Sequence, residues 1–133
     1  MTVETVSTNT NASQIHYRQV IVPSYVTGSY VVNDTDSHDF KIDGRGKGRL
    51  SVVLDVSTSD ETQTVTVYGM HTEGADVGDE GVVSIGSFTV TDANDIGYET
   101  INDPFPFYLV RCVSAGSASG TPTATLYGNF HSF

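Results

Sequence analysis

From Arg49 to Val56 the chain alternates: Leu50, Val52, Leu54 and Val56 share one face of an extended segment, while Ser51 and Asp55 share the other. A period of two marks a strand with one buried face, and no helix can sit on it. Thr62–Met70 repeats the pattern with Val65 and Val67, and Val82–Thr91 follows, where Gly86 predicts a bulge. Similar runs occur at Ile15–Val22, Tyr25–Val32, Asp39–Ile42, Gly97–Ile101, Phe105–Ser114 and Thr121–Phe130, separated by Pro, Gly, Asn and Asp. No stretch carries helical periodicity. The expectation is an all-β fold: a single antiparallel β-sandwich, jelly-roll-like, of about nine short strands over residues 15–133. Residues 1–14 (MTVETVSTNTNASQ) read as an N-terminal arm, either flexible or ordered as a strand against a partner.

At 133 residues the chain is one domain, large enough to bury a core without disulfide or metal. Its 16 acidic residues against 6 basic ones give a formal charge of −10. That balance excludes the basic patch on which nucleic-acid binding depends, and an anionic membrane surface would repel it. The excess of acid fits an ordinary acidic protein, and it equally fits one adapted to brine. In molar salt the Debye length falls to about 3 Å and dense carboxylates repel one another little. The polar start of the chain lacks the basic and apolar segments of a secretion signal.

The motifs point away from catalysis. His16, His38, His71 and His131 lie in no nucleophile motif, so no catalytic residues are assigned and the chain is expected not to be an enzyme. Asp34, Asp36 and Asp39, in NDTDSHD, set alternate carboxylates as if for one hard cation, but the glycine and glutamate of a calcium loop are missing. A solvated turn is the expectation there, these aspartates are the metal candidates, and no cofactor is expected. The acidic loop Glu73–Gly81 reads the same way. The DGRGKG segment, Asp43–Gly48, reads as an exposed turn whose cations could dock an acidic partner. Cys112 lies in an apolar run and reads as a small buried hydrophobe.

Phe107–Val113 departs from alternation: Tyr108, Val110 and Cys112 face one way, while Phe107, Leu109 and Val113 face the other, broken only by Arg111. Such a strand is either central and covered by loops, or covered by a neighbouring subunit. The second reading makes Phe107, Leu109, Arg111 and Val113 interface candidates.

The stretch DPFPFYLVRCVSAGSASGTPTATLYG carries a proline-aromatic lead-in (Pro104, Phe105, Pro106, Phe107, Tyr108), an apolar strand with one arginine, Arg111, and a small-residue loop. A strand with Gly120, Thr121, Thr123, Thr125, Leu126, Tyr127 and Gly128 follows. It resembles the closing hairpin of small β-sandwich virion proteins of tailed viruses, and with the acidic composition suggests a virus of a halophilic archaeon. The resemblance implies a non-enzymatic virion structural protein, a capsid decoration or a turret or tail-associated component. It would self-associate as a homo-oligomer and bind other virion proteins such as the major capsid protein. The alternative is a carbohydrate- or receptor-binding β-sandwich, with Tyr17, Tyr25, Tyr30, Tyr68 and Tyr98 as a sugar platform.

Overall fold

The computed structural model describes residues 2–4, 7–9, 25–57, 61–91 and 95–131. They form ten strands: β1 (Thr2–Val3), β2 (Ser7–Asn9), β3 (Tyr25–Val31), β4 (Ser37–Asp43), β5 (Arg49–Val56), β6 (Gln63–Met70), β7 (Val83–Val90), β8 (Ile96–Ile101), β9 (Phe107–Ser114) and β10 (Thr123–His131). Eight are six residues or longer. The expected ninth, Ile15–Val22, lies outside the described residues, and the two short pieces come from the arm instead.

The strands divide into two sheets. The first has the order β1-β4-β9-β6-β7 and the second β2-β3-β10-β5-β8. Pairing is antiparallel throughout except between β1 and β4. From β3 onward the chain changes sheet at every connection except β6–β7, which is the interleaving of two Greek keys in a jelly roll. This corrects one expectation. β9 and β10 are consecutive but do not pair as a hairpin; β9 lies between β4 and β6, and β10 between β3 and β5.

The alternation in β5 appears directly as burial: Leu50, Val52, Leu54 and Val56 are buried between the sheets. They meet Phe40, Ile42, Val65, Val67, Tyr108, Val110 and Cys112 of the first sheet in one core. The bulge expected near Gly86 is present, where the β6–β7 register shifts between Val67 and Tyr68. One end of the sandwich is laced by buried polar groups. The Tyr30 hydroxyl donates to Gln63 Oε1 at 2.8 Å, and Gln63 Nε2 donates to Ser114 Oγ at 3.1 Å. Fully paired groups in a dry interior fix the alignment of the two sheets, since any slip leaves one unsatisfied.

Candidate functional site

The two outer faces of the sandwich differ. Across the first sheet, registered rows set Asp39 beside Arg111, Lys41 beside Leu109 and Asp43 beside Phe107. The loop after β6, residues 71–82, folds back over these rows. Its Ala75, Val77 and Val82, with Tyr68, pack on a second small core of Met70, Phe107 and Leu109. Lys41 Nζ fastens the loop from the far side of β9, 2.9 Å from Asp76 Oδ1 and 3.2 Å from the Gly74 carbonyl oxygen. The loop expected to be merely solvated is therefore a cover.

This arrangement decides the interface candidates. Leu109 is fully buried within its own chain and Phe107 nearly so. Val113 is half-buried. Arg111 binds Asp39 through both nitrogens, Nε to Oδ1 at 2.8 Å and Nη2 to Oδ2 at 2.9 Å. That bond raises the Arg111 pKa further, against the opposing effect of burial. β9 is thus a central strand covered by a loop, and Leu109 and Phe107 are not available to a partner.

The metal candidates are likewise dispersed. Asp39 faces outward on β4, wholly committed to Arg111. Asp34 Oδ1 caps the Asp36 amide at 3.0 Å, and Asp36 Oδ1 takes the Ser37 amide at 3.0 Å, so both shape the turn. Among the described residues no three His, Cys, Asp or Glu side chains are grouped to hold an ion. The DGRGKG turn is closed in the same local way. Arg45 Nη2 donates to Asp43 Oδ2 at 2.7 Å, and Arg45 holds the Asp43 carboxyl down at about 2. The guanidinium lies 5.0 Å above the Phe107 ring.

The outer face of the second sheet carries a mixed row of exposed and half-buried side chains. Register places Tyr98 beside Val53, Val53 beside Tyr127 and Tyr127 beside Thr27, a row across β8, β5, β10 and β3. Tyr98 is 73% exposed and its strand neighbour Ile96 is 56% exposed. The flanking row is Thr100, Ser51 and Asn129, with Ser51 and Thr100 hydroxyls 3.4 Å apart. This is an aromatic and aliphatic strip bordered on one side by hydroxyl and amide groups and on the other by Asp55, the register partner of Ile96. The sequence did carry a signal for it: Val53 is apolar at a position where its strand's alternation calls for a polar residue. Of the tyrosines grouped as a sugar platform, Tyr30 is buried in the core, Tyr68 packs with the loop, and Tyr98 stands on this face with an exposed side chain, while the Tyr25 side chain lies outside what is described. Tyr17 lies outside the described residues.

No family model matches the chain, and no curated protein matches it in sequence. Solved structures match its fold. The Yersinia pseudotuberculosis-derived mitogen aligns with a TM-score of 0.57 at 16% identity, over 83% of this chain and 88% of that one. PirA aligns at 0.53 and 14% identity, over 79% and 93%. A Bacillus endospore appendage protein, of a family forming disulfide-linked pili, aligns at 0.52 and 12% identity, over 98% and 91%. At these identities the likeness is one of fold, and it supports the β-sandwich class.

Proposed function

We propose that this chain is a non-enzymatic structural protein that assembles through the outer face of the second sheet, and that its setting is a virus particle. The observation that carries the reading is the row of exposed Ile96 and Tyr98 beside half-buried Val53 and Tyr127. Large apolar groups in a row cost solubility unless something covers them, and the rest of the surface is strongly acidic. With Asp55 as the acid at its border, this strip is where two like-charged copies can approach. The virion setting rests on the Asp103–Gly128 resemblance, and the likeness to a pilus-forming subunit supports an assembling role for this fold. The only cysteine in the sequence, Cys112, is buried and is not placed to form a disulfide between copies.

Light scattering in molar salt tests this. The expected result is an oligomer for the native chain and a monomer with unchanged circular dichroism for Tyr98→Asp. A native chain that stays monomeric at every concentration would overturn the reading. A second reading, glycan binding, draws on Tyr98 and Tyr127, which lie two strands apart on one face, about 10 Å at the backbone. Calorimetry against glycans, with Tyr98→Ala losing the signal, would favour it.

A further inference from the structure

β8 ends the second sheet and β7 ends the first, while the opposite edges are continued by β2 and β1. The two ends are built differently. β7 carries the bulge opposite Val67 and Tyr68, which breaks the regular spacing of its backbone groups. β8, IGYETI, keeps an unbroken register with β5 from Ile96 to Ile101, and it holds no proline or lysine. Bulges, prolines and lysines are what keep a sheet edge from adding another strand. The one charged residue of β8 is Glu99.

The direction of its backbone groups follows from one bond. The Val56 amide donates to the Asp95 carbonyl oxygen at 3.0 Å, so these two form a hydrogen-bonded pair. Bonded and non-bonded pairs alternate along an antiparallel ladder. Gly97, Glu99 and Ile101 therefore turn their backbone groups toward β5, whereas Ile96, Tyr98 and Thr100 turn theirs to the edge. Two further contacts agree. The Ser51 and Thr100 hydroxyls are 3.4 Å apart, as the closer side chains of a non-bonded pair allow. The Ile96 amide donates to the neighbouring carboxylate, Asp95 Oδ1, at 2.9 Å rather than to β5. The residues whose backbone faces the edge are also those whose side chains stand on the outer face, with Tyr98 73% exposed. Edge and strip meet in one strand.

We infer that β8 pairs antiparallel with β8 of a second copy of this chain, about a twofold axis at Tyr98, so that the second sheets of the two copies run on as one. The inference rests on the assembly reading above and names the contact that makes it. A twofold axis between antiparallel strands sets one residue opposite itself. Two such registers overlap the whole of β8, one centred on Tyr98 and one on Glu99. The second sets two carboxylates side by side, which is destabilising. The first sets Glu99 beside Gly97 and keeps the charges apart. In it Tyr98 exchanges both backbone bonds with the same residue of the second copy. The Thr100 amide donates to the Ile96 carbonyl oxygen opposite, once from each copy. The two Tyr98 rings become a cross-strand aromatic pair, each covering apolar surface of the other. The strand thus fits a copy of itself in charge, in backbone groups and in side chains.

Backbone hydrogen exchange on the full chain in molar salt tests this, above and below the concentration at which light scattering shows dissociation. The Tyr98 and Thr100 amides should exchange freely in the monomer and slow by about tenfold or more in the oligomer. The Gly97 and Glu99 amides, turned toward β5, should be protected in both. Thr100→Pro is the matching variant. It removes an edge amide while leaving the β5 pairing and the Ile96 and Tyr98 side chains in place, and it should give a monomer with unchanged circular dichroism. If that variant does not fold, the exchange pattern decides alone. An oligomer whose Tyr98 and Thr100 amides exchange freely, or one that survives Thr100→Pro, overturns the edge pairing and leaves assembly through the face standing. Protection already present in the dilute monomer would mean that the chain satisfies this edge itself, and protection gained only on adding another protein would assign the edge to a foreign strand; either overturns the pairing of copies. A native chain that is monomeric at every concentration removes the assembly reading as well.

Discussion

Asp39 is a carboxylate with no exposed surface, and Arg111 pairs with it through two hydrogen bonds. Removing one partner of such a pair leaves a bare buried charge, which costs about 3–5 kcal/mol. Arg111→Met is therefore expected to lower stability by that amount in urea unfolding, while Asp39→Asn combined with Arg111→Met should recover much of the loss. Leu109 offers a second test. It is fully buried under the 71–82 loop, so Leu109→Ala should cost about 2–5 kcal/mol and leave any oligomer intact once folded. At this scale the sequence was legible wherever one rule applied, as in β5, whose four inward residues all face the core. It left two readings open at Leu109, because an outward apolar residue looks the same whether a partner or a loop covers it. The covering residues Ala75 and Val77 stood out little against the acids around them.

Among the elements, the 71–82 loop works as a third layer over half of the sandwich. Replacing residues 73–80 with a short Gly-Ser turn should uncover Met70, Phe107 and Leu109. The expected outcome is a lower urea midpoint with dye binding to the newly exposed apolar surface, and Lys41→Ala should give a milder form of the same change. Eight strands were readable within a residue or two, but their partners were not. A period of two places a side chain inward or outward; it does not say in which sheet the strand lies. The Ala115–Gly120 loop therefore looked like a hairpin turn between β9 and β10, although it carries the chain from one sheet to the other.

For the molecule as a whole, burial sets the alkaline limit. Loss of hydration raises the Tyr30 hydroxyl and the Cys112 thiol well above their ordinary values, and Tyr108 is raised for the same reason. Raised groups contribute stability in full below their unfolded values, about 8.5 for Cys and 10 for Tyr, and lose it as pH climbs toward the folded ones. Stability should be flat near neutrality and fall from about pH 9 upward, by up to about 1.4 kcal/mol per pH unit for each group. Denaturant melts between pH 7 and 11, with tyrosinate absorbance followed in parallel, would show this. The −10 charge acts at lower pH, where salt screening relieves self-repulsion. Melting temperature should rise between 0.1 and 2 M salt by about 5 °C or more, as scanning calorimetry would record, and a flat response would remove the brine reading.

The place of β10 has a consequence for synthesis. It is the last of the ten strands to be made, yet it lies in the middle of the second sheet, joining β3 to β5. A ribosome-bound chain ending anywhere before Thr123 has the two halves of that sheet with nothing between them. Its apolar inward faces stay open until β10 emerges. Folding is then a single late event with no stable halfway product, and a truncated message yields aggregate rather than a smaller domain.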